Sequence, residues 1–145
     1  MKYTVDASVM ARWFIPGEEY EEEALKIRND YAQGKIQLYA PTLITYEVLN
    51  SIWKAVTRKL MKISQAKTYC QTISKIMPTT IKFESKDLEK VMEIAVKENI
   101  TIYDAAYIIT AIKTKSTLIT ADKKLLETSR KYIKTIHLKE YENLQ

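Results

Sequence analysis

Four acidic side chains, Asp6, Glu47, Asp104 and Asp122, sit where alternating strands and helices would deliver charge to one edge of a sheet. Asp6 directly follows the β-favouring run Lys2-Tyr3-Thr4-Val5, and Asp122 lies two residues beyond Thr117-Leu118-Ile119-Thr120. In parallel sheets covered by helices, ligands bind at the carboxyl ends of the strands, where both aspartates fall. Asp104 stands at the head of the apolar helical stretch Ala105–Ile112. Glu47 shares a polar stripe with Asn50, Ser51 and Lys54 at helical spacing. Four carboxylates brought together repel one another unless cations neutralise them. Ligands made only of oxygen suit Mg²⁺ or Mn²⁺ rather than zinc. An ion held in this way lowers the pKa of a bound water and polarises substrate oxygens, which is the chemistry of metal-assisted hydrolysis.

Each acid except Asp6 also has a plain structural explanation. Asp104 and Asp122 suit helix N-caps, which accept hydrogen bonds from the first free amides. The stripe through Glu47 suits a solvent-facing helix surface. Asp6, between Val5 and Ala7, is costly at a strand end unless something there uses its charge.

Composition closes most other routes to chemistry. One histidine, His137, rules out a histidine acid–base pair, and one cysteine, Cys70, rules out a disulfide framework or a multi-cysteine zinc site. Two glycines, Gly17 and Gly34, are too few for phosphate loops or dinucleotide fingerprints. Cys70 reads as a small buried or half-buried hydrophobe, and His137 as a surface residue.

The elements that must position the acids follow from the pattern. Strands are predicted at Lys2–Val5, Ile36–Ala40, Thr79–Phe83, Thr117–Thr120 and Ile133–Ile136. Helices are predicted at Glu18–Ala32, stopped by Gly34, and from a Thr42 cap to about Lys59, then at Ser64–Met77, stopped by Pro78. Further helices are predicted at Ser85–Glu98, Thr101–Lys115 and Ala121–Lys131. The alternation implies an α/β fold, a central parallel sheet of four to five strands flanked by helices. At 145 residues the chain has the length of one domain spanning 1–145, able to bury roughly 70% of its unfolded surface without staples.

Lysine and arginine total 23 against 18 acids, a net charge of +5, which suits a polyanionic partner as well as a lysine-rich surface. Lys54, Arg58, Lys59 and Lys62 follow Glu47, and Lys123 and Lys124 adjoin Asp122; these are candidates to hold the phosphates of a nucleic acid. Trp13, Trp53, Tyr103 and Tyr107 either stack unpaired bases or belong to the core. No stretch approaches the roughly 18 apolar residues of a membrane span, and Asp6 and Arg12 interrupt any signal-peptide core, so the expected location is cytoplasmic.

Val5-Asp6-Ala7-Ser8-Val9 with Trp13-Phe14, Glu47-Val48-Leu49-Asn50, Tyr103-Asp104-Ala105-Ala106-Tyr107 and Leu118-Ile119-Thr120-Ala121-Asp122-Lys123-Lys124-Leu125 together resemble the motifs of PIN-domain ribonucleases. The resemblance spans Val5 to about Ile136, and the compact form is similar to VapC-type toxins of toxin–antitoxin pairs. It implies a single PIN-like domain whose acids converge on divalent metal and cut single-stranded RNA, leaving 5′-phosphate and 3′-hydroxyl ends. Carried over by position, Asp6, Glu47, Asp104 and Asp122 match the acidic, metal-holding quartet. Ser8, Asn50 and Thr120 match the polar residues that orient it. Lys123, Lys124 and Leu125 stand where many members place a further acid, which leaves a second metal site without that ligand. The family also implies an antitoxin partner and a homodimer. Apolar residues on Leu43–Val56 and Ser64–Met77 offer a groove for a partner helix. Two other readings stand beside this one: an RNA-processing PIN nuclease without an antitoxin, and a non-catalytic nucleic-acid-binding or assembly module.

Overall fold

The computed structural model describes residues 1–144. Five short strands form one parallel sheet: β1 (Lys2–Val5), β2 (Gln37–Pro41), β3 (Thr79–Ile81), β4 (Thr117–Thr120) and β5 (Thr135–His137). Their order is β3-β2-β1-β4-β5, with every neighbouring pair parallel. The chain therefore builds outward from β1 in one direction and then returns to add β4 and β5 on the other side. Where the order reverses, between β1 and β4, a crevice opens at the carboxyl ends of the strands. The pairing of Val5 with Ile119 brings the residues following each strand into that crevice.

Around the sheet lie α1 (Ala7–Ala11), α2 (Glu21–Ala32), α3 (Ile44–Thr57), α4 (Ile63–Ile76), α5 (Ser85–Glu98), α6 (Ile102–Thr114) and α7 (Lys123–Ser129), followed by a 3-10 turn at Leu138–Leu144. The apolar residues of α3, Ile44, Val48, Ile52 and Ala55, recur at helical spacing and turn inward, leaving its polar side free. α6 is buried along Ala105–Ala111, so its sequence is apolar nearly all round. Val5, Leu38, Ile108, Leu118 and Ile119 meet in the centre of the core. Buried polar groups are paired: Thr4 and Ser116 hydroxyls lie 2.7 Å apart, and Tyr141 donates to Asp30 at 2.8 Å, tying the last turn to α2. Among the described residues no helix is long and apolar enough to cross a membrane.

Several boundaries depart from the sequence expectation, each for a local reason. α2 starts at Glu21 rather than Glu18 because Tyr20 adopts a left-handed conformation (φ 64°), which no continuing helix permits. Thr42 caps nothing: Pro41 still pairs with Ile81, and α3 begins after Leu43. The last strand starts at Thr135, because the amides of Tyr132 and Ile133 are held by the Ser129 carbonyl at the end of α7. That shift draws His137 into β5, buried, with its ring edge-on to Tyr20; it is not a surface residue. Cys70 is exposed rather than buried, since α4 packs through Ala66 and Ile73 and leaves Cys70 outside that contact. Trp13 is core, its indole N–H donating to the Ala24 carbonyl at 2.9 Å, and is closed to bases.

Replacing fully buried Ile108 by Ala should cost about 3 kcal/mol by urea unfolding, through lost burial and the cavity left behind. Ile112→Ala, at a position 40% exposed on the same helix, should cost well under half of that. Equal costs would contradict the placement of α6.

Candidate active site

The carboxylate of Asp6 lies at the seam between β1 and β4, only 5% exposed. Ser8 Oγ donates to its Oδ1 at 2.5 Å and Thr120 Oγ1 to its Oδ2 at 2.6 Å. The Val9 amide also reaches Oδ1, at 3.3 Å, so Asp6 caps α1. The two hydroxyls are themselves acceptors: Ser8 from the Ala121 amide and Thr120 from the Asp122 amide, each at 3.0 Å. One carboxylate thus ties the end of β1 to the loop that carries Asp122.

Asp104 and Asp122 divide the two roles that the sequence left open. Asp122 is a helix cap, its Oδ1 accepting from the Leu125 amide at 2.8 Å. Asp104 is not: Thr101 caps α6 by accepting from the Asp104 amide, which leaves the Asp104 carboxylate free. Glu47, on the first turn of α3, receives a hydrogen bond from the Tyr107 hydroxyl at 2.7 Å. Tyr107 is buried on α6, three residues after Asp104 and on the same side of the helix, so it is a clamp on Glu47 and not a stacking ring. Asp6, Ser8, Glu47, Asp104, Tyr107 and Asp122 line one cavity of about 180 Å³ at the carboxyl edge of the sheet.

The electrostatics are those of a crowded anionic centre. Burial pushes the Asp6 carboxyl up to about 6, against the pull of its hydrogen bonds, and the nearby Asp122 adds to the rise. Burial also raises Asp104, helped by Asp122 and Glu47 and opposed by Lys124. Burial and the Glu47 charge hold the Tyr107 hydroxyl far above its ordinary value, so it remains a proton donor to Glu47. All the donors are hard oxygens, and the carboxylates lack a neutralising cation inside the cavity, a combination that fits Mg²⁺ or Mn²⁺. Among the described residues no three acidic, histidine or cysteine side chains are yet drawn together closely enough to hold one ion.

Beyond this cavity a trough runs between α1 and α3. Glu47, Ser51, Lys54 and Arg58 recur along α3 at helical spacing, an acid at one end and two cations at the other. Lys54 and Arg58 line a cavity of about 250 Å³ together with Arg12. Arg12 was not anticipated as part of the site; it stands one turn after Ser8, where its guanidinium holds the Ser8 carbonyl and, at 2.7 Å, the Glu19 carbonyl. Asn50 is exposed on the wall of a third cavity beside Glu47. Lys123 and Lys124 line none of these cavities; Lys124 instead donates to the Asn99 carbonyl at 3.3 Å, at the end of α5. No carboxylate follows Asp122 there, and Leu125 is buried.

Residues 3–131 match the family described as the PIN domain. Ribonuclease VapC3 of Pyrobaculum aerophilum is 30% identical over 128 residues, covering 88% of this chain and 94% of that protein. The crystal structure of PAE2754 from Pyrobaculum aerophilum superimposes with a TM-score of 0.66 at 24% identity, covering 99% of this chain and 95% of the other. VapBC2 of Rickettsia felis, solved with a DNA fragment from its promoter, gives a TM-score of 0.64 at 14% identity, with 94% and 98% covered. The two structures speak for the shared fold.

Asp6 makes folding depend on pH with a definite sign. Its carboxyl rises from the ordinary 3.8 to about 6 in the folded chain, so between those values the native state holds a proton that the unfolded chain releases. In metal-free buffer the stability contributed by Asp6 should therefore fall by roughly 3 kcal/mol as pH rises from 4 to above 6. Subtracting the pH profile of Asp6→Asn from that of the wild type, by chemical unfolding, isolates this segment. A flat difference would contradict the buried placement of Asp6.

Proposed function

This chain belongs to the PIN-domain family, and we propose that it is a metal-dependent endoribonuclease of the VapC type, hydrolysing single-stranded RNA and restrained by an antitoxin partner. The observation that carries the reading is the gathering of Asp6, Glu47, Asp104 and Asp122 around one cavity, in a chain 30% identical to Ribonuclease VapC3. Those four residues would hold Mg²⁺ or Mn²⁺. When bound, such an ion supplies a Lewis acid for the phosphoryl oxygens and a water of lowered pKa.

The chain's own residues supply position and field. Ser8 and Thr120 fix both oxygens of Asp6, and Tyr107 fixes Glu47, so two of the carboxylates hold their direction before substrate arrives. No imidazole lines the cavity and the Tyr107 hydroxyl keeps its proton, so proton transfer there falls to carboxylate oxygens. Exposed Lys54 and Arg58 make the trough beside the acids attractive to backbone phosphates, while Arg12 is held by the Ser8 and Glu19 carbonyls and by Glu18. Asn50 is placed to orient groups at the outer rim beside Glu47. The family resemblance adds a homodimer to this reading; a sedimentation mass of one chain would remove it.

Incubated with single-stranded RNA and Mg²⁺ or Mn²⁺, the wild-type chain should cleave internally, and EDTA should stop it. Asp104→Asn should lower the rate by at least about 100-fold while folding is retained. Tyr107→Phe, which removes only the clamp on Glu47, should weaken metal affinity or activity about 10- to 100-fold. Equal cleavage by the wild type and Asp104→Asn, or cleavage that persists in EDTA, would sink the catalytic reading.

A further inference from the structure

Two tyrosine rings stand in water beside the acid cavity. Tyr46 on α3 is 76% exposed and Tyr103 on α6 is 57% exposed, so neither is explained by packing of the core. They come from different helices yet wall the same cavity of about 660 Å³, within the roughly 300–1,000 Å³ typical of ligand clefts. Asn50 and Lys54 line it as well. Ser8 and Glu47 belong to both this cavity and the acid cavity, so the two are continuous.

From this juxtaposition we infer that the cavity is a base-binding subsite for single-stranded RNA, in which a nucleobase flanking the scissile phosphate stacks against Tyr103 and Tyr46. The inference rests on the ribonuclease reading and deepens it. Each wall matches one part of a nucleotide: the phenol rings its π-face, the Asn50 amide its hydrogen-bonding edge, and the Lys54 ammonium its phosphate. An apolar segment of protein would instead bury Asn50 and Lys54 without partners, at a desolvation cost. Lys54 also lines the cavity of Arg12 and Arg58, so the tyrosine-walled cavity adjoins the acids through Ser8 and Glu47 and the cations through Lys54. In a duplex the faces of the bases are already stacked on their neighbours and cannot meet the rings. Selection for unpaired RNA is thus built into the tyrosine walls.

The test measures binding by fluorescence anisotropy, using Asp104→Asn protein with Mg²⁺ and a labelled single-stranded RNA octamer. Tyr103→Leu and Tyr46→Leu, added singly, should each raise Kd about 5- to 100-fold. Tyr103→Phe keeps the ring and should stay within about twofold of the parent. Affinity for the same sequence as a duplex should not change in any variant. Leucine variants that bind like the parent, a phenylalanine variant as weak as leucine, or duplex affinity that falls in parallel would each overturn the subsite. Leucine variants that lose a helical protein partner while binding RNA undiminished would also overturn it, and would assign the face to that partner. Cleavage by the wild-type chain is scored separately. Tyrosine-dependent binding without cleavage removes the ribonuclease reading and leaves the subsite, whereas cleavage with undiminished binding by the leucine variants does the reverse.

Discussion

A negative charge is buried where the two halves of the sheet meet, and much of the site is arranged around it. The Asp6 carboxylate is the joint between β1 and the loop after β4, reached through the Ser8 and Thr120 hydroxyls. Each hydroxyl already accepts a backbone amide, from Ala121 or Asp122, so its single proton is left for Asp6. The direction of the hydrogen bonds is therefore fixed, and it favours the ionised carboxylate. Burial opposes this and pushes the carboxyl up to about 6.

The other acids arrive on elements packed against this seam. α6 runs across the sheet as a nearly all-apolar rod, because both its sides are covered, and its first turn brings Asp104 to the crevice. The same helix extends Tyr107 to Glu47, joining α6 to α3 by a bond between residues 60 positions apart. α3 keeps its apolar residues inward and so presents Glu47, Ser51, Lys54 and Arg58 along the trough. The cations thus lie along one side of the acid cluster, in a chain whose net charge is +5.

The parts of this arrangement that depend on short stretches of sequence were legible in it. Strand ends at Val5 and Thr120 place Asp6 and Asp122, helical spacing on α3 singles out Glu47, and the alternation of elements gives a parallel sheet. What the sequence hid depends on packing between distant elements. Spacing leaves Tyr107 between a core residue and a stacking ring, and the core reading holds. Its bond to Glu47 is hidden because nothing local reveals that α3 sets a carboxylate opposite it. Arg12 and Tyr46 enter the site only through the way α1, α3 and α6 lean together. His137 was misplaced because a helix end at Ser129 delays the last strand by two residues, and a shift of that size separates surface from interior. Cys70 was misjudged because α4 buries only a narrow stripe.

The strand order has a consequence for how the protein is made. β1 is synthesised well before its sheet neighbour β4, and Thr120 meets Asp6 across 114 positions. No nascent chain ending short of β4 can assemble the four acids, however well its earlier helices have formed. For a protein read as cutting RNA, this delays the hazard until β4 and Asp122 have been made. A nascent chain that stops before β4 presents only unassembled parts to the messenger and the ribosome.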